Sequence, residues 1–142
     1  MISIIILNYN AGNLLIDCVD SIINSNLKEF EIILVDNASV DSSHLKCKEK
    51  FNDIELISNK ENFGYCEGNN IGLRKAKGEY IMILNPDTKV TPDWATELQN
   101  MHEKLGEGLY QPKILSMAEQ NKLGTTGNEI NILGFGFSRG RG

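Results

Sequence analysis

The sequence is poor in the features that would give it an easy identity. Its cysteines are three, Cys18, Cys47 and Cys66, an odd number at wide spacing with no Cys-x-x-Cys, so neither a disulfide framework nor a zinc cluster organises the fold. A reducing compartment suits that pattern. Basic residues are outnumbered, 14 against 19 acidic, for a net charge of −5. Lys and Arg also form no long run, which argues against a nucleic-acid backbone as partner. No apolar stretch approaches the ~18 residues needed to cross a bilayer. The apolar start at residues 1–7 has no basic flank and meets Asn8 too early for a signal peptide. These absences predict a cytoplasmic protein, and a length of 142 residues predicts one domain able to bury a core of its own.

What is present is alternation. Residues 2–7 and 30–35 are Ile-rich runs, apolar but for Ser3 and Glu31, the pattern of strands buried on both faces of a parallel sheet. Between them Leu14, Leu15, Cys18, Val19, Ile22 and Ile23 recur at helical spacing. A polar helix is expected near 41–50, a short strand near 54–58, a helix over about 68–77 and a buried strand at 79–84. A last helix is expected after Thr91 and Pro92, with Trp94, Leu98, Met101 and Leu105 as its stripe. Strands alternating with helices predict an α/β fold with right-handed crossovers and helices on both faces of a mostly parallel sheet. After Gly106 the pattern weakens to a strand within 109–115 and a tail carrying Phe135 and Phe137. Those rings are costly to leave in water, so the expectation is a chain truncated on its C-terminal side.

In open α/β sheets, ligands bind outside the carboxyl ends of the strands. Those ends read Asn8, Tyr9 and Asn10; Asp36, Asn37, Ala38 and Ser39, with Asp41 beyond; Ser58 to Asn62; and Asn85, Pro86, Asp87 and Thr88. Asn10, Asp41 and Thr91 serve equally well as helix caps. Asp36 follows directly on an apolar run, where a carboxylate needs a partner, and is a candidate acceptor for a ligand N–H. Asn85, Pro86 and Asp87 read equally as an ordinary turn, since Pro presets φ and Asn and Asp bond back to their own backbone; a carboxylate at Asp87 can also hold a divalent metal against a diphosphate. The segment 62–72 carries three glycines and three asparagines, which allow close backbone approach. It is not a dinucleotide fingerprint, because no Gly-x-Gly-x-x-Gly follows the first strand.

Four motifs in order, SIIILNYN at 3–10, VDNASVD at 35–41, NFGYCEGNNIG at 62–72 and GEYIMILNPDT at 78–88, resemble the family-2 glycosyltransferases of GT-A (Rossmann-like) fold. The likeness is to the rhamnosyltransferase-like branch and covers about residues 2 to 105. It implies a nucleotide-diphosphate sugar donor such as a UDP- or dTDP-sugar, Mg²⁺ or Mn²⁺, inversion at the anomeric carbon, and a glycan or lipid-linked acceptor in cell-wall or polysaccharide biosynthesis. Carried over by position, Asn8 and Tyr9 line the base pocket with Asp36 accepting the ring N–H. Asn37, Asn62, Gly64 and Asn70 border the nucleotide, Asn85 flanks the diphosphate, and Asp87 contacts the metal. Two positions depart from the pattern: Asn85 stands where many members have Asp, and Asn69 where many have Arg.

The resemblance gives no catalytic base within this chain, since relatives carry it in the acceptor-binding half. The expectation is therefore a single, incomplete nucleotide-sugar-binding domain spanning 1–142. Such a domain would sit in the cytoplasm or at the inner face of the membrane, associate with the membrane only peripherally through its acceptor or a missing segment, and admit a homodimer. The alternative is an inactive or stand-alone nucleotide-sugar-binding domain. A third reading, a nucleotidyltransferase making sugar nucleotides, is strongly disfavoured, because the loop after the first strand, residues 10–13, has no Lys or Arg for a phosphate.

Overall fold

β-branched residues crowd the turns of a helix and fit a pleated sheet, and the two Ile-rich runs become neighbouring central strands. In the computed structural model, residues 1–117 are described, together with the backbone of three short strands further on. The elements are β1 (Ile2–Asn8), α1 (Asn13–Ile23), β2 (Phe30–Asp36), α2 (Ser43–Lys50), β3 (Glu55–Ser58), α3 (Gly64–Leu73), β4 (Tyr80–Leu84) and α4 (Trp94–Leu105). The four strands form one parallel sheet in the order β3-β2-β1-β4. Beyond α4, β5 (Ile114–Leu115) pairs antiparallel with β6 (Leu123–Thr125), and β7 (Asn128–Ile130) with β8 (Gly136–Ser138). These form a second unit, Leu105–Gly142. The strand expected within 109–115 is thus confined to its last two residues. The tail argument from Phe135 and Phe137 concerns side chains outside the described residues.

Side chains alternate across the sheet, and each face has its own cover. Ile4, Ile6, Ile32 and Leu34 pack with Leu15, Cys18, Val19 and Ile22 of α1, Cys47 of α2, and Trp94 and Ala95 of α4. Ile5, Ile33 and Val35 form the opposite core with Leu7, Ile57 and Ile71. Each fully buried Ile or Leu contributes about 1.5–3 kcal/mol of transfer free energy.

Three expectations need correction. Among the described residues β4 is an edge strand rather than a buried one. Leu84 is buried, but Ile81 and Ile83 are 44% and 46% exposed, because α3 covers β1 and β2 and does not reach β4. Helix α3 begins a turn earlier than its composition suggested. Asn62 Oδ1 accepts the Gly64 N–H at 2.8 Å and starts the helix, while Gly68 and Gly72 let it lie close on Leu7 and Ile5. Finally, α4 starts at Trp94, with Pro92 in the turn before it. Its stripe packs through Trp94, Ala95 and Leu98, but Met101 stays exposed.

Gly78 sets the close entry into β4. A Cβ there would lie 2.6 Å from the Ser3 backbone nitrogen, and its own N–H donates to Ser3 Oγ at 2.7 Å. Gly78→Ala is therefore expected to cost about 1–3 kcal/mol, the scale of overpacking a tight site. Urea unfolding should show a lowered midpoint, and an unchanged midpoint would contradict the contact.

Candidate functional site

The register brings the polar strand ends to one rim, with Asn8 opposite Asp36 and Asp36 opposite Ser58. Asp36 lies at the centre. Its carboxylate, 1% exposed, accepts from Asn8 Nδ2 at 2.7 Å, from Ser39 Oγ at 2.6 Å and from the Ser39 N–H at 2.9 Å. His44 Nδ1 stands 3.3 Å from the same carboxylate, off the hydrogen-bond direction. Asn8 Nδ2 also lies 2.9 Å from Ser43 Oγ and 3.0 Å from Ser39 Oγ. The loop so bound carries left-handed backbone at Ala38 and Ser42, and the loop after β1 carries it at Asn10. This conformation is costly for non-glycine residues and is held only where the surroundings enforce it.

Asp41 ties the two loops together. Its Oδ1 accepts the Ser43 N–H at 2.9 Å at the start of α2, and its Oδ2 accepts the Gly12 N–H at 2.9 Å ahead of α1. The Ser43 N–H is the chief influence holding the Asp41 carboxyl below its ordinary pKa; partial burial opposes it, and the Ser43 hydroxyl and Gly12 N–H add to it.

Above this layer lies an open cleft of about 490 Å³, lined by Leu7, Tyr9, Ala11, Leu14, Asn37, Asn62, Gly64, Tyr65, Asn85, Pro86 and Asp87. Asn37 forms a wall rather than a free ligand. Its Nδ2 donates to Asn62 Oδ1 and to the Gly64 carbonyl, each at 3.1 Å, and its Oδ1 accepts from Asn59 at 2.8 Å. Tyr9 and Tyr65 are more than half exposed and offer open aromatic faces.

Asp87 reaches the cleft from a β-turn. The Thr88 N–H bonds the Asn85 carbonyl at 3.2 Å, with Pro86 in the second position, where its fixed φ suits a turn. The Cys18 thiol donates to the same carbonyl at 3.6 Å. Burial is the chief cause pushing that thiol up to about 12, and the nearby Asp87 charge adds to the effect. Among the described residues the exposed Asp87 carboxylate makes no hydrogen bond or ion pair. Asp36 and Asp41 are instead engaged with their own backbone and neighbours.

Of the residues expected at the site, Tyr9, Asn37, Asn62, Gly64, Asn85 and Asp87 line the cleft. Asn8 and Asp36 do not. They sit one layer below, turned toward each other, because a buried carboxylate must be met by donors and the chain's own donors are nearest. Asn70 is also absent from the lining and lies exposed on α3. Leu7, Ala11, Leu14, Tyr65 and Pro86 line the cleft without having been singled out. Tyr65 was within reach of the sequence, as the aromatic of the glycine-rich segment.

Residues 3–138 match the family described as glycosyl transferase family 2. The chain is 33% identical over 108 residues to glycosyltransferase GlyG of Streptococcus pneumoniae serotype 4, which covers 73% of this chain and 36% of that protein. The chain spans well under half the length of such relatives. TarS 1–349 of S. aureus, solved with UDP-GlcNAc, shares the fold at TM-score 0.67 and 19% identity, over 83% of this chain and 41% of that one. Mannosyltransferase PcManGT of Pyrobaculum calidifontis, solved with GDP-Man and Mn²⁺, gives TM-score 0.63 and 25% identity, over 80% of this chain and 33% of that one.

The low pKa of Asp41 fixes the sign of a pH effect. A carboxyl held below its unfolded value stabilises the fold above that value, and the contribution is lost as pH falls through the folded value. Asp41→Ala is expected to cost about 1 kcal/mol at neutral pH, as for loss of a helix cap. In thermal unfolding across pH, the gap to wild type should close below the ordinary carboxylate range. A gap constant with pH would contradict the assignment.

Proposed function

Because this chain belongs to glycosyl transferase family 2, we propose that its cleft binds a nucleotide-diphosphate sugar and that the chain is the donor half of an inverting sugar transferase. The observation that carries this reading is the unpaired Asp87 carboxylate, held in a turn at the end of β4 and opening into a cleft walled by Asn37, Asn62 and Gly64. The base lies against Tyr9 and the Asn37 wall. Asp36 and Asn8 act on the base from behind, by holding the loop that carries Asn37. The sugar is of the UDP- or dTDP-linked kind, and the acceptor is a glycan or lipid-linked glycan of polysaccharide synthesis. The site of action is the cytoplasm or the inner face of the membrane.

The donor set suits a hard divalent cation, Mg²⁺ or Mn²⁺: one carboxylate from Asp87 and the amide oxygen of Asn85, both exposed beside the cleft. No cluster of three or more His, Cys, Asp or Glu residues able to hold a metal exists among the described residues. Binding of the ion therefore depends on diphosphate oxygens. Such an ion supplies Lewis-acid neutralisation of charge on the leaving diphosphate. The Pro86 turn holds Asp87 in place for that task, so little reorganisation is needed during the reaction.

Transfer also needs a base for the acceptor hydroxyl, and Asp87 is the one carboxylate among the residues lining the cleft. In the leading reading the base and the acceptor site belong to a region outside this domain. The same observation favours a second reading, a nucleotide-sugar-binding domain without turnover. Release of sugar from donor to acceptor separates the two.

A thermal-shift panel tests the donor site. UDP or dTDP with Mn²⁺ is expected to protect more than ADP, and a ligand at about a hundred times its Kd should add roughly 2.7 kcal/mol. Mn²⁺ alone should give no shift, and Asp87→Ala should erase the Mn²⁺-dependent part of the nucleotide's protection. Equal protection by all three nucleotides would sink the pyrimidine pocket; metal dependence surviving in Asp87→Ala would defeat the metal role.

A further inference from the structure

Helix α1 meets the segment that carries Asp87 at three successive points. The Cys18 thiol donates to the Asn85 carbonyl at 3.6 Å, the same carbonyl that accepts the Thr88 N–H and closes the β-turn. Lys89 Nζ pairs with Asp17 Oδ2 at 2.8 Å. The Val90 N–H donates to Ser21 Oγ at 3.1 Å. Ser21 uses its own hydroxyl proton on the Cys18 carbonyl one turn back, at 2.7 Å, so its oxygen is held in place as an acceptor. The three contacts differ in weight. Asp17 and Lys89 are each about half exposed, and surface pairs of that kind contribute little. Cys18 is fully buried and Ser21 partly so, and a buried N–H left without an acceptor is costly.

The same helix also reaches the other side of the cleft. Leu14 lines it, and the Gly12 N–H is held by Asp41, which belongs to the loop after β2. One rigid element thus touches both the Asp87 turn and the loop that carries Asn37. We propose that α1 is a splint that sets the position of Asp87 relative to the nucleotide wall, with Ser21 and Cys18 as positioning residues for the diphosphate and its metal. Neither side chain lines the cleft; both act through the backbone of residues 85–90. A displacement of about 1 Å at such a group is enough to lose much of its effect. The proposal rests on the reading of Asp87 given above.

The test measures UDP affinity with and without Mn²⁺ in wild type, Ser21→Ala, Ser21→Thr, Cys18→Ala and Asp87→Ala, with amide hydrogen exchange at Thr88 and Val90 in parallel. Ser21→Ala and Cys18→Ala are expected to cut the Mn²⁺-dependent gain in UDP affinity about fivefold, the scale of one hydrogen bond. Metal-free affinity should stay within about twofold, because the nucleotide wall is untouched. Faster exchange confined to 85–90 should accompany the loss, and Ser21→Thr, which keeps the acceptor oxygen, should recover both. A gain abolished by Asp87→Ala yet unchanged in Ser21→Ala and Cys18→Ala overturns the splint alone. So does a parallel fall in metal-free affinity, or exchange that rises throughout the domain, since either marks a general loss of structure. If wild type itself shows no Mn²⁺-dependent gain, the donor-site reading fails and the splint with it.

Discussion

The buried Asp36 carboxylate is the interaction on which the rest of the site depends. It sits at the end of a central strand, opposite Asn8 in register, and it cannot be left without donors at that depth. With His44 close by but off the hydrogen-bond direction, Asn8 and both donors of Ser39 meet that demand. In doing so they fold the loop after β2 back over the sheet and enforce left-handed backbone at Ala38 and Ser42. Asn37, next in sequence, is thereby turned toward Asn59, Asn62 and Gly64. The wall of the cleft follows from satisfying one carboxylate.

The rim is accordingly built in two layers. In the lower one the Asp36 carboxylate, the Asn8 amide nitrogen and the Ser39 and Ser43 hydroxyls bond one another and give rigidity, while Asn8 Oδ1 is buried without a partner. The upper one, Tyr9, Asn62, Tyr65, Asn85 and Asp87, keeps polar or aromatic groups open to the cleft. Asp41 and α1 join the two sides. Their bonds run from the loop after β2 to the start of α1, and from the side of α1 to the segment after β4. A site on loops is precise only when such cross-ties hold it.

Much of this was legible in the sequence. Ile-rich runs at 2–7 and 30–35, each broken by a single polar residue, mark buried strands, and strand ends in an open parallel sheet mark where ligands go. Asp87 was legible because it follows a strand within a turn that exposes it. Asp36 and Asn8 were placed at the correct rim but on the wrong layer, because composition names the polar residues at a strand end without saying which turn inward. The edge position of β4 was hidden for a related reason: Ile81 and Ile83 look like core residues, and only the reach of α3 decides whether they are covered. Helix α3 was masked by glycine, read as loop chemistry where Gly68 and Gly72 in fact serve close packing on Leu7 and Ile5. The roles of Cys18 and Ser21 carry no sequence signal, being ordinary members of a helix that happens to face the Asp87 turn.

The central claim is that one cleft joins the Asn37 wall to the Asp87 turn and receives a nucleotide diphosphate with its metal. Paramagnetic broadening of ¹⁵N-labelled backbone amides by Mn²⁺ in the presence of UDP tests it most directly. The expected result is broadening strongest at Asn85, Asp87 and Thr88, weaker at Gly64 and Tyr65, and slight at Asn70 and along the exposed face of α4. Broadening centred elsewhere, such as at the exposed Glu103, or equal in the presence and absence of UDP, would contradict it.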